Sequence, residues 1–354
     1  MIEPTLIRTK QVAPSWLEAA CFDPNVLNKS FFEKHANWIG PLAGQVPSVN
    51  LVEGVNLSIT NISHITNAQN EIIIDHRIMP RHLCKYLEEN RASIIEQTRR
   101  LTKTAVEEPV FYFASTKNVF GHWLLEMLPS IIVYKYVYSK SGIKLVLWDE
   151  TWNKYLNFVI NFIGIPEDNI LLVPFANTLI TFHKIYTMEL FHDDYLFNGT
   201  FHNIIACVIS MALTLPGAPI DTPLRLFVSR SKFQKKTWRP ARDTNIEDLE
   251  SLMRDQYNFR IIHPEELSIH EQINLFTHAS HICGLAGSGL HNSIFMAPGT
   301  NVISIGFNRV QLKLCIMKRQ NIKFILPEGS STTDASGIER FDLQEISKRL
   351  IEIL

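Results

Sequence analysis

The sequence predicts an α/β protein with mostly parallel sheets, and two observations indicate this class. Apolar runs of strand length alternate with amphipathic stretches of helix length through residues 109–215 and again through residues 224–354. Residues 215–223 carry three prolines between these two series, which is typical of a domain boundary. Because 46% of the 354 residues are hydrophobic, the chain can fill the cores of two such domains.

The first hundred residues follow a different pattern. Residues 1–50 are irregular, whereas residues 51–78 alternate apolar and polar side chains and predict a few short antiparallel strands. Residues 80–104 predict a helix whose many charges form a solvated face. We therefore treat residues 1–105 as a small β/irregular extension within an N-terminal domain of residues 1–215.

The elements of the two series are predicted in chain order. The first contains strands at 109–115, 143–148, 169–174 and near 178–189, with helices from His122, at 151–164 and at 201–215. The second contains strands at 224–229, 259–263, 281–285, 301–305 and 322–326, with helices at 246–256, 268–279, 309–320 and 340–354. Thr244 or Asn245 is expected to cap the helix at 246–256. Residues 216–335 form the predicted C-terminal domain, and whether the helix within 336–354 packs back on the first domain is left open.

A strand–turn–helix–strand unit at residues 281–305 is the most informative stretch. Its turn consists of small residues, which are Gly284, Gly287, Ser288 and Gly289. His291 and Asn292 fall in the first turns of the helix that follows. Free amides and the positive end of a helix dipole bind phosphate well, so the turn is a candidate anion site. The alternative is that the glycines only allow close packing of helix and strand.

A cluster of basic residues follows the strand at 224–229. Six cations lie close together here: Arg230, Lys232, Lys235, Lys236, Arg239 and Arg242. Ligands of doubly wound sheets bind at the carboxyl ends of strands, and arginine recognises phosphate through paired donors. Arg230 directly follows the strand and is therefore the candidate phosphate ligand, whereas the lysines are interpreted as a solvated loop.

His122 and Glu126 lie four residues apart after a predicted strand, so on a helix they share one face. An imidazole that a carboxylate orients is a suitable general base. The alternative interpretation is a structural His–Glu pair near a helix N-terminus.

Composition and charge exclude several classes of protein. A net charge of −1 argues against a protein that grips nucleic acid along its surface. The five cysteines are scattered without a CxxC pair, and the histidines show no metal-ligand spacing, so no metal site or disulfide framework is expected. No signal peptide or run of about 18 apolar residues is visible, which predicts a cytoplasmic protein. A peripheral association with the inner face of the membrane is left open.

Several motifs, in this order, resemble one family. HWLLEMLP at 122–129, an SR…R…N pattern before an acidic helix, SIHEQINLF at 268–276 and GSGLHNSIFMAPGT at 287–300 are similar to the family 61 glycosyltransferases. The resemblance is to their bacterial branch of capsular polysaccharide biosynthesis proteins. It implies a GT-B-like architecture, in which two Rossmann-like domains face a cleft. It also implies inversion at the anomeric carbon, without an obligatory metal or other cofactor.

The resemblance assigns site residues to both domains. The implied donor-binding residues are Arg230, Arg242, Asn245, Gly287, Ser288, Gly289 and Asn292, with His291 nearby. His122 is the implied catalytic base with Glu126 as its partner, and Glu126 is the second candidate for the base. Gln272 and its neighbour Glu271 occupy the family's usual Glu-Gln position. Ala286 stands where many members have a histidine.

The expected function is an inverting, metal-independent glycosyltransferase in bacterial surface polysaccharide synthesis. It would move a sugar from a nucleotide-sugar, in the first place a UDP-sugar, to a glycan or lipid-linked glycan. Ala286 keeps a second hypothesis open, a non-catalytic member that holds a nucleotide-sugar or glycan within an assembly complex. A dinucleotide-dependent oxidoreductase is disfavoured because GLAGSGLHN lacks the GxGxxG spacing. Glu265 and Glu266 either bind ribose hydroxyls or begin a solvated helix.

Overall fold

The predicted parallel strands of the first half are present, but they form only one part of a larger mixed sheet. The computed structural model describes residues 7–13, 49–60, 65–66, 71–74, 76, 78–79, 81–113, 119–149, 153–174, 178–193, 196–197, 199–214, 224–232, 245–326, 331–333 and 339–354. In this part of the chain, the first sheet contains β1 (Ile7–Ala13), β2 (Val49–Thr60), β3 (Ile65–Thr66), β4 (Ile72–Ile73), β5 (Thr102–Val106), β6 (Val110–Phe111), β7 (Lys144–Trp148), β8 (Ile170–Val173) and β9 (Thr178–Met188). The strand order is β4-β3-β2-β9-β6-β7-β8, while β1 pairs with β2 and β5 pairs with β9.

Strand β9 divides this sheet into an antiparallel and a parallel part. On one edge it pairs antiparallel with β2, which in turn pairs antiparallel with β1 and β3. On the other edge it pairs parallel with β5 and β6, and the parallel pairing continues through β7 to β8. The short antiparallel strands predicted within residues 51–78 are thus confirmed. They belong to the same sheet as the parallel strands and do not form a separate layer.

The helix predicted for residues 80–104 is divided into two helices and a strand. The helices of the first half are Arg81–Glu89, Arg91–Arg99, Phe120–His122, Leu128–Val137, Asn153–Asn157 and Gly199–Leu213, with π-helical turns at Trp123–Met127 and Phe158–Ile163 and a 3-10 turn at Glu167–Asn169. Asn90 separates the first two helices, and its side-chain amide donates to the Tyr86 carbonyl. The helix stops at Arg99, and β5, in which every second residue is β-branched, pairs with β9. A short hairpin of β10 (His192–Asp193) and β11 (Leu196–Phe197) precedes Gly199–Leu213.

The second half forms a parallel sheet that agrees closely with the predicted element order. Its strands are β12 (Leu224–Val228), β13 (Arg260–Ile262), β14 (Ala279–Leu285), β15 (Asn301–Ile305) and β16 (Asn321–Ile325), followed by the hairpin β17 (Ser331–Thr333) and β18 (Glu339–Phe341). Its helices are Ile246–Tyr257, Ile269–Thr277, Arg309–Lys318 and Leu343–Ile353, with 3-10 helices at Pro264–Glu266 and Ser288–Phe295. The order β13-β12-β14-β15-β16, with every described pair parallel, is that of a doubly wound sheet.

The C-terminal helix belongs to the core of the second half. Ile346 and Leu350 lie in one cluster with Phe227 of β12 and Met253 of the helix Ile246–Tyr257. Whether this helix also packs on the first domain, which the sequence left open, stays a prediction. Its apolar stripe is covered by the second sheet and its neighbouring helix.

The described residues divide into two compact units between Ile204 and Ile205, within the helix Gly199–Leu213. The boundary predicted from the proline-rich stretch at 215–223 lies outside the described residues and stays a prediction. Within the described part of the chain, no helix has the length and apolar character that a membrane span needs.

Candidate functional site

The strand order of the second unit places a topological switch point at the carboxyl ends of β12 and β14. These two strands are neighbours, but the chain continues from β12 to β13 on one side and from β14 to β15 on the other. The connections therefore diverge, and at such a switch point doubly wound sheets bind their ligands. Two predicted stretches reach this point, Ser229-Arg230 after β12 and Ala286–Gly289 after β14.

The glycines of this turn meet different neighbours. A Cβ atom on Gly284 would lie 2.8 Å from the Val228 carbonyl oxygen, and one on Gly289 would lie 2.9 Å from Val228 Cγ1. These two glycines are therefore required for close packing on β12. A Cβ atom on Gly287 would instead meet the Arg230 guanidinium at 3.7 Å from Nη1. The packing interpretation thus applies to Gly284 and Gly289, whereas Gly287 lies beside the predicted phosphate ligand.

The helix predicted after the turn is a 3-10 helix, Ser288–Phe295, with Gly287 at its N-cap position. The Asn292 side-chain amide donates to the Gly289 carbonyl at 3.2 Å, three residues back, which supports the tighter winding. The first amide groups of a helix lack partners within it. The first of these amides directly follow Gly287, the residue that lies beside the Arg230 guanidinium.

His291 and Asn292 point into the protein and have structural partners. The His291 Nδ1 atom is 3.0 Å from Gln311 Oε1, and its residue is 5% exposed. Asn292 is fully buried and donates to Gln272 Oε1 at 3.1 Å. The structure thus gives both a role in holding the 3-10 helix, and their predicted contact with the donor stays a prediction.

Gln272 links the turn after β14 to the turn after β13. It accepts from Asn292 through its carbonyl oxygen and donates to the Pro264 carbonyl at 2.9 Å. Glu271 completes a capping box with Ser268, and these hydrogen bonds lower the pKa of its carboxyl. The Glu-Gln pair noted in the sequence therefore has a positioning role. Sequence reasoning did not find this role because the partners of Gln272 are distant in the chain.

Asn245 is also used structurally. It occupies the N-cap position of Ile246–Tyr257, but its side chain makes no capping hydrogen bond. Its amide donates to the Phe341 carbonyl at 3.0 Å and its oxygen accepts from the Phe341 N–H at 2.9 Å. Because both ends of the amide pair with β18, the capping prediction for Asn245 is wrong. Arg242 and Thr244 lie outside the described residues.

The turn after β13 brings further polar groups to the same edge of the sheet. Lys232 pairs with Glu266 at 3.1 Å, and both side chains are exposed. Buried polar atoms of His263 (Nδ1) and Glu265 (Oε1) have no hydrogen-bond partner among the described residues. Of the two acids considered for ribose binding, Glu266 therefore pairs with a lysine, whereas the Glu265 carboxylate pairs with none in the part of the chain that the structure describes.

His281 lies at the opposite edge of this sheet, near the start of β14. Its Nδ1 and Nε2 atoms contact Ser280 Oγ at 2.9 Å and Asn301 Nδ2 at 3.0 Å. Burial and, to a smaller extent, the charge of Arg225 lower the pKa of this imidazole. These contacts agree with the structural role that the sequence analysis gave it.

In the first unit, His122 and Glu126 form the predicted pair. The Nδ1 atom of His122 is 2.9 Å from Glu126 Oε1, and the side chains are 24% and 2% exposed. Glu126 Oε2 is buried without a hydrogen-bond partner among the described residues. The pair thus places a partly exposed imidazole over a buried carboxylate. This is the arrangement of a general base and its orienting group, although a structural pair would also show it.

Comparison with known proteins gives the family. A family model described as Glycosyltransferase 61 matches residues 120–303, more than half of the chain. The chain belongs to glycosyltransferase family 61. The predicted glycosyltransferase enzyme is thereby confirmed, and the oxidoreductase hypothesis no longer applies.

The matched residues of this family 61 glycosyltransferase extend from just before His122 to β15. They include the His122–Glu126 pair, Arg230 and the glycine turn. No curated protein matches the chain.

Proposed function

We propose that this glycosyltransferase transfers a sugar from a UDP-sugar to a glycan or lipid-linked glycan, with inversion at the anomeric carbon and without a metal. The observation that carries the proposal is the position of the Arg230 guanidinium against Gly287 at the switch point of the second sheet. A diphosphate there would meet one fixed cation and the first amides of the helix Ser288–Phe295.

The departing nucleotide requires this positive charge. When the bond between the sugar C1 atom and the diphosphate oxygen breaks, its electron pair stays on the diphosphate. Fixed donors at the developing charge stabilise the transition state more than they stabilise the bound substrate. Arg230 and the turn amides would supply that stabilisation from the protein itself.

The acceptor hydroxyl requires a base, and His122 is the proposed one. If its Nδ1–H donates to Glu126, Nε2 is the nitrogen that takes the hydroxyl proton as the acceptor oxygen bonds to C1. The buried Glu126 carboxylate would then stabilise the imidazolium that forms. The product carries the sugar on the acceptor oxygen, with the proton on His122.

The proposal also covers where the acceptor binds and which kind of glycan is made. In a GT-B arrangement the unit with His122 and the unit with Arg230 face a common cleft, and the acceptor binds on the His122 side. The resemblance to the capsular polysaccharide branch favours a bacterial surface glycan made at the cytoplasmic face of the membrane.

Titration of thermal stability with UDP, GDP, CMP and NAD, with and without EDTA, tests the donor class. A ligand that binds only the folded state raises its stability in proportion to ln(1 + [L]/Kd). We expect a saturable UDP effect that survives EDTA and is lost in Arg230→Ala. Lys232→Ala is the matched control, since this exposed lysine of the same loop pairs with Glu266, and it should keep the effect. Stabilisation by GDP or CMP alone would change the donor, and stabilisation by none of the nucleotides would contradict the proposal.

A further inference from the structure

We propose that Pro129 is a positioning residue for the His122–Glu126 pair, because it causes the π-helical turn that orients the pair. This inference rests on the proposed function in taking the pair as catalytic. The π-helical turn occupies Trp123–Met127 and ends immediately before Leu128 and Pro129. It therefore contains Glu126 and begins directly after His122.

The backbone around Pro129 supplies the cause. A proline inside a helix lacks the N–H that would donate to the residue four positions earlier, here Leu125, and its ring clashes with that carbonyl. The helix widens just before the proline, since the Leu128 N–H donates to the Trp123 carbonyl, five residues back. One extra residue in a turn moves the upstream carbonyl away from the ring, which is how a helix continues past such a position.

The extra residue in the π-helical turn changes the direction in which the preceding helical residues point. Each residue of an α-helix turns by about 100°, so removing one residue from the turn would rotate residues 120–122 by about that angle relative to the helix after it. The downstream helix Leu128–Val137 is held in place, because the buried Tyr134 hydroxyl donates to the Ile143 carbonyl at 2.7 Å. The rotation would therefore fall on the part that carries His122.

The π-helical winding gives the side chains of His122 and Glu126 different environments. The ring of His122 reaches the surface, whereas Glu126 is enclosed within a continuous buried stretch, residues 123–134. The Ser130 hydroxyl donates to the Glu126 carbonyl at 2.9 Å and so satisfies a backbone acceptor next to the widened turn. An unbroken α-helix would turn the upstream residues to another side and would not offer the imidazole at this place.

Aromatic packing around Trp123 is an alternative cause of the π-helical turn. Trp123, the first residue of the π-helical turn, stacks on Tyr155 with ring centroids 4.5 Å apart and meets Phe158 edge-on at 5.6 Å. This packing could hold the turn without the proline. Replacing only Pro129 leaves these aromatic contacts available and decides which cause acts.

The test uses Pro129→Ala and Pro129→Gly in the full chain. Both restore the N–H, but alanine favours the helix and glycine does not. We expect Pro129→Ala to have a thermal midpoint at or above that of the parent, and Pro129→Gly to have a lower midpoint than Pro129→Ala. In both variants kcat should fall by about ten- to a hundred-fold, since a positioned base contributes in this range or above it, while KM for the donor stays unchanged. Pro166→Ala is the control, because this exposed proline lies outside any helix interior and should alter neither kcat nor stability markedly.

The rate is measured as hydrolysis of UDP-N-acetylglucosamine, UDP-xylose and UDP-arabinose, in which water replaces the glycan. The water oxygen bonds to C1, the bond from C1 to UDP breaks, UDP leaves with the electron pair, and the proton passes to His122. A crystal structure of Pro129→Ala should show residues 120–137 as one α-helix. His122 and Glu126 would keep their spacing of four, but the His122 imidazole would be turned to another side relative to Leu128–Val137.

Three results would overturn the proposal: unchanged kcat in a folded variant, a π-helical turn that persists in the variant structure, or failure of both variants to fold. The last would mean that the fold needs the proline for another reason. If the parent hydrolyses none of the three donors, the proposed function is in question instead. The helix winding and stability of the Pro129 variants would still test the structural cause.

Discussion

Gly284, Gly287 and Gly289 lie within one turn but are restricted by different atoms. Gly284 faces the backbone carbonyl of Val228, which cannot move without disturbing β12. Gly287 faces the end of the long Arg230 side chain, and its extended φ of 167° is accessible to any residue. A side chain at Gly284 would thus disturb the packing on β12, whereas one at Gly287 would be tolerated by the fold.

This difference predicts opposite behaviour of two alanine variants. Gly284→Ala should lower the free energy of unfolding by about 1–3 kcal/mol, because its Cβ would lie 2.8 Å from the Val228 oxygen. Gly287→Ala should change that free energy by less than about 0.5 kcal/mol but weaken UDP stabilisation, because its methyl group fills space next to the guanidinium. Urea denaturation and thermal titration measure the two effects. Equal destabilisation by both variants, or full UDP stabilisation of Gly287→Ala, would disagree with this assignment.

At the scale of elements, Asn245 connects the start of one helix to the last strand. Its two hydrogen bonds to the Phe341 backbone hold β18 against the N-terminus of Ile246–Tyr257, and the Phe341 ring enters the same core as Ile246. The C-terminal helix Leu343–Ile353 starts directly after this contact, capped by Asp342. The contact therefore fixes where the final helix begins to pack.

Asn245→Ala tests whether this residue is structural or binds the donor. Removing the amide leaves the Phe341 N–H and carbonyl without these partners, so we expect a loss of about 2–3 kcal/mol in the free energy of unfolding. UDP should still stabilise the variant by nearly the parental increment. The control is Asn308→Ala, which removes a side-chain cap from Arg309–Lys318 and should cost about 1 kcal/mol. Loss of UDP stabilisation at unchanged folding stability would instead assign Asn245 to the donor site.

At the scale of the whole molecule, the described part of the chain contains two large sheets of different kinds, besides the hairpins β10-β11 and β17-β18. The first is mixed, with antiparallel strands from the N-terminal part paired to β9, and the second is parallel throughout its described pairs. In the second sheet the chain connections diverge at β12 and β14, the kind of switch point at which doubly wound sheets bind ligands. The two candidate sites therefore lie in different units, with the anion site in the second and the His122–Glu126 pair in the first.

Hydrogen exchange across the full chain tests whether the nucleotide binds in the second unit. UDP should slow exchange most at residues 229–232 and 286–292, at the carboxyl edge of the second sheet. Residues at the amino edge of that sheet, around His281 and Asn301, should exchange at the same rate with and without UDP. Arg230→Ala should abolish the protection. Protection centred on the amino edge, or spread evenly over the sheet, would place the nucleotide elsewhere.

The sequence by itself determined the elements of the second unit and the pairing of His122 with Glu126. Buried parallel strands are continuous apolar runs, and helix starts are encoded by nearby side chains such as Ser268, so both are visible in local patterns. The His–Glu pair was predictable because its spacing of four is itself local. Pro129 was a visible sign of irregular winding, although the π-helical turn was not predicted from it.

Only the tertiary structure decided which partners the polar residues of the candidate site take. Asn245, His291 and Asn292 have the right composition for binding, but they turn inward to Phe341, Gln311 and Gln272, which are 96, 20 and 20 residues away in the chain. No periodic pattern encodes such distant partners, because each depends on how separate elements pack. The same holds for Gly287 and Arg230, whose contact exists because β12 and β14 are neighbours in the sheet although β13 lies between them in the chain.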